Sequence, residues 1–175
     1  DADAEFEEYA EELFRSQAAS NTVTLHYTLK EPEKYGILES DVTFGSYESN
    51  SDAVKAAAEN MRQALLEIAY DELDTQNKLT YDILIYQLRM MNRCADYLLY
   101  EEPLGLVSGV QTQLPVVLSE YQFYDREDVD TYLALLKTTG EYFDSLIRFE
   151  REKSEAGLFM SDYAADQVAE QCQAF

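Results

Sequence analysis

"SNSDAVKAAAENMRQALLEIAYDEL", Ser49–Leu73, is the stretch that decides the fold. Val54, Ala57, Met61, Leu65, Ile68 and Leu73 recur mostly every three or four residues. That is the period of one helix face and is slower than the two-residue period of a strand. A capping residue, Ser51 or Asp52, stands at its start. The next stretch, "TQNKLTYDILIYQLRMMNRCADYLLY" (Thr75–Tyr100), continues as a second long helix after a break near Asp74. Its apolar residues lie on more than one face, as they do in a central helix. Two helices joined by so short a break are expected to form an antiparallel pair.

Outward from this pair the pattern stays helical. Phe6, Tyr9, Ala10, Leu13 and Phe14 set a helix from Asp3 to about Gln17, with an acidic first turn that suits the helix dipole. Leu114–Tyr121 reads as a short helix with Pro115 in its first turn, where proline is tolerated. Asp125 or Arg126 opens a third long helix that runs to Gly157, a natural left-handed C-terminal residue. Ser161 caps a last helix carrying Val168, Cys172 and Phe175. Between Ala18 and Ser51 the pattern changes. Thr22, Val23, Thr24, Tyr27 and Thr28 favour extended backbone, and Pro32, Gly36 and Gly45 punctuate the segment. This arm is expected to be irregular, with a short hairpin around Thr22–Leu29 and Val42–Tyr47. The expected architecture is therefore all-α. It comprises five or six mainly antiparallel helices in a bundle, with an irregular arm between the first and second, as a single helical domain over residues 1–175.

Charge narrows the function. Asp and Glu number 35 against 13 Lys and Arg, a formal net charge of −22. Such a field repels phosphate backbones and anionic membrane surfaces, so neither nucleic acid nor a lipid surface is an expected partner. No apolar run approaches the ~20 residues of a membrane span. Cations and basic peptides suit the charge better. The chain holds 14 Tyr, 8 Phe and no Trp. Tyrosine packs its ring while wetting its hydroxyl, so Tyr121, Tyr124 and Tyr132 are candidates for lining a substrate cleft, with core packing as the plainer reading of each.

Little else in the sequence carries chemistry. A catalytic zinc site commonly takes three protein ligands with histidine among them. Here His26 is the sole histidine, and Cys94 and Cys172 are far apart in sequence. No zinc is expected in this chain, and His26 reads as structural or superficial, on the face opposite Leu25 and Tyr27. Free buried thiols are the expectation for the two cysteines, with a disulfide as the alternative in an oxidising compartment. "DREDVD" gathers Asp125, Glu127, Asp128 and Asp130, but it lacks the glycine and distal glutamate of a calcium loop and serves better as a helix N-terminus. Glu7, Glu8, Glu11 and Glu12 form a solvated acidic helix face. No glycine pattern cradles a phosphate, no nucleophile elbow occurs, and no carboxylate pair stands out.

Four phrases in order carry a resemblance: "LHYTLKEPEKYGI" (Leu25–Ile37), "LTYDILIYQL" (Leu79–Leu88), "GVQTQLPVVLSEYQFYDREDVDTYLALL" (Gly109–Leu136) and "GLFMSDYAADQVAEQC" (Gly157–Cys172). Together they resemble the bacterial family known as domain of unknown function 885, from about Leu25 to Phe175. The resemblance implies a longer, mostly helical protein similar to zinc metallopeptidases, with a His-Glu-x-x-His motif in its C-terminal half. That motif places two histidines on one helix face and a glutamate as general base. It is absent here, so no catalytic or metal-binding residue transfers to this chain. What the resemblance implies is an N-terminal helical fragment that forms part of a substrate cleft and is inactive alone. Zinc belongs to the full-length protein, the C-terminal half is the partner, and a peptide is the substrate. An exposed apolar face on the last helix would let the isolated fragment self-associate. Relatives suggest an exported or lipid-anchored, extracellular or cell-surface location. The alternative is a non-enzymatic acidic helical module that grips a basic peptide, or a scaffold.

Overall fold

The computed structural model describes residues 1–174. Among them the chain forms eight α-helices: α1 (Ala2–Ala18), α2 (Thr22–Thr28), α3 (Ser51–Leu66), α4 (Thr75–Cys94), α5 (Val110–Ser119), α6 (Arg126–Lys137), α7 (Thr139–Glu155) and α8 (Asp162–Ala174). Short 3₁₀ turns lie at Pro32–Tyr35, Tyr70–Glu72 and Ala95–Tyr100, and no described residue is in a strand. The chain is all-α, with more helices than the five or six expected. It divides into two compact units. The first holds Asp1–Gly45 and Asn50–Leu98, and the second holds Ser46–Ser49 and the chain from Leu99 onward.

The first unit is built on α3 and α4. Lys55 and Ser51, at the start of α3, both bond the carboxylate of Asp96 just past the end of α4. The other ends of the two helices are joined by residues 67–74, so the pair is antiparallel. Phe6, Leu65, Ile68, Leu73, Tyr81 and Leu88 are buried together around it. α3 is capped by Asn50, whose side chain accepts from the Ala53 N–H at 3.0 Å. The expected Ser51 or Asp52 stands one or two residues inside, since four consecutive residues here can all cap. α3 also stops at Leu66 rather than Leu73. Its last N–H groups turn to i−3 carbonyls, Glu67 to Ala64 and Ile68 to Leu65, each 3.3 Å. Asp74 then caps α4 through the Asn77 N–H at 2.7 Å. Ile68 and Leu73 stay buried although they lie outside the helix. α1 is tied down by Tyr9, whose hydroxyl donates to the Met61 carbonyl at 3.0 Å. Asp3 accepts from the Asp74 N–H and the Asn77 amide, both at 2.9 Å. These bonds, the backbone one first, hold the Asp3 carboxyl below its ordinary range. Glu7, Glu8, Glu11 and Glu12 are exposed, as a solvated face requires.

The arm corrects the hairpin expectation. Thr22–Thr28 is helical despite its β-branched residues, because Asn21 caps it by accepting from the Thr24 N–H at 2.8 Å. Propensity is a weak prior, and one cap with local packing overrides it. The two expected partners do meet, through one residue pair instead of a ladder. Thr22 N–H donates to the Thr43 carbonyl at 2.9 Å, and Thr43 N–H donates to the Thr22 hydroxyl at 2.9 Å. His26 is half-buried on α2 with its ring edge-to-face on Tyr27, centroids 4.9 Å apart. In a helix the two neighbours do not alternate faces. Leu25 and Ile37 are half-buried, and Tyr27 is exposed.

The second unit holds α5 to α8. The long helix expected from Asp125 to Gly157 is broken at Thr138. The hydroxyls of Thr138 and Thr139 donate back to the Leu135 and Leu136 carbonyls, each at 2.8 Å, and Gly140 follows. Hydroxyls that compete for helix carbonyls bend or interrupt a helix. Asp125 caps α6 in a reciprocal box with Asp128, whose carboxylate also accepts from the Tyr124 N–H at 2.7 Å. α5 begins at Val110, earlier than expected, so Pro115 lies inside it and withholds an N–H from the Gln111 carbonyl. Gly157, at φ +73°, ends α7 with Leu158 N–H donating to the Lys153 carbonyl and Gly157 N–H to that of Ser154. Ser161 supplies the N-terminal cap of α8 through a 3.4 Å bond from the Ala164 N–H.

Both cysteines are free and exposed rather than buried. Cys94 lies six residues after buried Leu88, about 240° round the helix on the far side. Adjacent leucines on α3 give a direct test of the core. Leu65 is fully buried and Leu66 is 47% exposed. Leu65→Ala is expected to cost about 2–5 kcal/mol and Leu66→Ala under about 1 kcal/mol, measured by urea unfolding. Equal costs would contradict the orientation of α3.

Candidate functional site

The face of α7 that packs inward runs Tyr142, Ser145, Leu146, Phe149, Glu150, Lys153. From Ser145 onward these positions are all buried. The spacing is that of one helix stripe, yet its lower end carries two charges. Lys153 is 1% exposed and Glu150 8%. The Lys153 ammonium donates to the Glu101 carbonyl and pairs with the Glu102 carboxylate at 2.8 Å. Its charge is therefore matched at the start of the loop leading into α5.

That loop is folded tightly. Val110 N–H donates to the Pro103 carbonyl at 2.9 Å. The buried Gln111 amide donates to the Gly105 carbonyl at 2.7 Å and to Gln171 of α8 at 2.9 Å. Gln171 donates in turn to the Leu106 carbonyl at 3.2 Å. A Cβ on Gly109 would fall 2.6 Å from the Gly105 nitrogen and 2.3 Å from the Gln111 side-chain oxygen, so the close approach needs glycine.

Between this loop and helices α5, α7 and α8 lies a cavity of about 640 Å³, within the usual range of ligand pockets. Its walls are mainly apolar, including Leu104, Phe143, Leu146, Ile147 and Phe159, with Gln111, Glu150, Arg151, Ser154 and Cys172 completing the lining. Cys172 faces this open space from α8, which is why it is exposed only one turn after buried Val168. Neither carboxylate oxygen of Glu150 has a hydrogen-bond partner among the described residues, and the Gln111 Oε1 atom has none either. Burial pushes the Glu150 carboxyl above its ordinary range. Lys153 pulls it back, and Glu102 adds a smaller upward push.

The tyrosines picked from sequence lie elsewhere. Tyr121 is buried and packs with Phe123 and Tyr132, at centroid distances of 5.5 and 5.0 Å. Tyr132 donates to the Leu118 carbonyl at 3.1 Å. Tyr124 is 64% exposed and donates to the Gln122 side chain at 2.7 Å. The structure thus brings Tyr121 and Tyr132 together in one aromatic cluster, leaves Tyr124 at the surface, and puts none of the three in the lining of the cavity. On the last helix, Val168 is buried, Cys172 is exposed, and Phe175 lies outside the described residues.

Zinc does not fit the residues present. No group of three or more His, Cys, Asp or Glu side chains is gathered to hold a metal among the described residues. His26 belongs to the first unit and Cys172 to the second. Asp125 and Asp128, the strongest acidic candidates, are committed to capping α6. Nor is any helix among the described residues long and apolar enough to cross a membrane.

Fold and site thus define an all-helical chain with an apolar recess that has buried acid and amide groups in its lining. The sequence model of a family described as "Bacterial protein of unknown function (DUF885)" matches residues 34–175, most of the chain, and the protein belongs to that family. No curated protein and no solved structure matches it.

A buried carboxyl with a raised pKa makes folding favour the protonated form. Its contribution is fully present below the unfolded pKa and is lost as pH rises through the folded pKa. Glu150→Gln removes that penalty. The variant is expected to melt a few degrees above the parent at pH 7, at about 2–4 °C per kcal/mol for a chain of this size. The gap should close near pH 4, as followed by circular dichroism. A variant less stable than the parent at pH 7 would contradict the burial of an unpaired acid.

Proposed function

We propose that this chain is the substrate-binding, non-catalytic helical part of a larger metallopeptidase-like protein. The cavity of the second unit is the recess that takes an apolar side chain of a peptide. One observation carries the reading: an open, mainly apolar recess of about 640 Å³ has buried, unpartnered acceptors among its lining residues. Such groups cost stability unless a ligand meets them, and pockets with few convergent polar atoms are the usual form of binding sites. The acidic surface, net −22, suits peptides that carry positive charge. Family membership supports the larger frame, in which a C-terminal half brings the His-Glu-x-x-His helix and its zinc. This chain supplies binding and orientation, which alone are worth much of a barrier when the reacting groups are held in place. An exported or lipid-anchored protein at the cell surface is the location that goes with this reading.

The test uses this chain and a full-length family protein that carries the zinc motif, both incubated with a peptide library and read by mass spectrometry. No turnover is expected from the chain alone. Filling the recess with Ile147→Trp in the full-length protein is expected to lower kcat/KM for apolar peptides about tenfold, the worth of roughly 1.4 kcal/mol of binding. Turnover by the chain alone would overturn the division of labour. Peptide binding without turnover by the full-length protein would establish the non-enzymatic module instead.

A further inference from the structure

We propose that the cavity of the second unit recognises a primary ammonium group attached to an apolar body, with Glu150 as its counter-ion. The inference rests on reading the cavity as a ligand recess and adds the chemistry that the ligand must carry.

The lining brings together two features that are costly apart. Leu104, Phe143, Leu146, Ile147 and Phe159 offer an apolar body a mainly apolar, partly open surface. Glu150, more than nine-tenths buried, holds two carboxylate oxygens with no hydrogen-bond partner among the described residues. A primary ammonium carries three N–H donors and no acceptor. It therefore matches an all-acceptor set, where a carboxylate, a phosphate or a second carbonyl would add to the unmet acceptors. A neutral alcohol offers one donor and leaves the rest unmet.

The charges nearby decide the sign. Lys153 is already occupied by Glu101 and Glu102 and does not line the cavity. Arg151 does line it but is exposed, so its charge is screened by water, whereas Glu150 is out of water and interacts more strongly. As sequence neighbours on a helix, Glu150 and Arg151 do not face each other. Lys153 offsets part of the Glu150 charge from a distance, but both carboxylate oxygens still lack a hydrogen-bond donor among the described residues. Both the free amino end of a peptide with an apolar first residue and a small apolar amine satisfy this chemistry.

The experiment titrates methyl-labelled protein with phenethylamine, with 2-phenylethanol, and with the peptide Phe-Gly-Gly-amide bearing a free or an acetylated amino end. The Leu146 and Ile147 methyls are read by NMR. Phenethylamine is expected to bind at least about tenfold more tightly than 2-phenylethanol, the size expected for hydrogen bonds to a charged group. Glu150→Gln should erase that preference by weakening the amine far more than the alcohol, and circular dichroism checks that the variant is folded. A free-ended peptide binding more tightly than phenethylamine identifies the peptide as the source of the amine. Binding of phenethylamine alone identifies a small amine. Equal affinities for amine and alcohol, or an unchanged preference in Glu150→Gln, would overturn the proposal and leave the apolar recess standing. Absence of any shift with all four probes would overturn both.

Discussion

The burial of Lys153 is the constraint on which the second unit depends. An ammonium that is 1% exposed must have its charge and its donors met inside the protein. Glu101 and Glu102 meet them, and in doing so they fix the chain at the point where it leaves for α5. From there the Pro103–Val110 bond and the Gln111–Gly105 bond close the loop, and Gln111 reaches Gln171 on α8. The loop is thus held at both ends, by a charge from α7 and by an amide from α5. The space left beneath it is the cavity. The same lysine lowers the cost of holding Glu150 nearby, as its opposing effect on the Glu150 carboxyl indicates. A hydrophobic residue at position 153 would pack the stripe as well, but it would leave the loop unanchored and the acid uncompensated.

The first unit is governed by ordinary burial. α3 and α4 enclose an apolar core, and polar ties such as Asp3 to Asp74 and Tyr9 to Met61 settle where α1 lies. The second unit spends part of its interior on charge and on open volume. Interiors are normally packed to crystal-like density, and the second unit departs from that at the recess beneath its loop.

Much of the fold was legible because helix period, caps and stop signals agreed. Val54, Ala57, Met61 and Leu65 announced α3, Asp125 announced α6, and Gly157 announced the end of α7. Legibility failed where a local device outweighed propensity. Asn21 turned a run of β-branched residues into α2, and the paired threonines at 138 and 139 cut one helix into two. No period in the sequence encodes either event. The cavity was missed for a different reason. "RFEREKSE" reads as a solvated charge run, since five other charged residues surround any one of interest. The signal was present in the register. Leu146, Phe149, Glu150 and Lys153 fall at i, i+3, i+4 and i+7, so two charges sit on the apolar stripe rather than opposite it. Tyrosine abundance pointed elsewhere, to residues that pack on one another or face water.

That register also bears on why the cavity lies where it does. Along α7 the buried stripe passes from Leu146 and Phe149 to Glu150 and Lys153 within two turns. At Phe149 the stripe is closed by the Tyr47 ring, 5.7 Å away, and Tyr47 is held by the Ser145 hydroxyl, which accepts its N–H at 3.3 Å. At Lys153 it is closed by the loop. Glu150 falls between the two closures, one position further round the helix, where Arg151 and Ser154 begin the exposed side. The carboxylate oxygens at that position are shut off from water by protein atoms, and neither has a hydrogen-bond partner among the described residues. A carboxylate so placed bears its desolvation without a hydrogen bond in return, and the nearby charge of Lys153 offsets part of that cost.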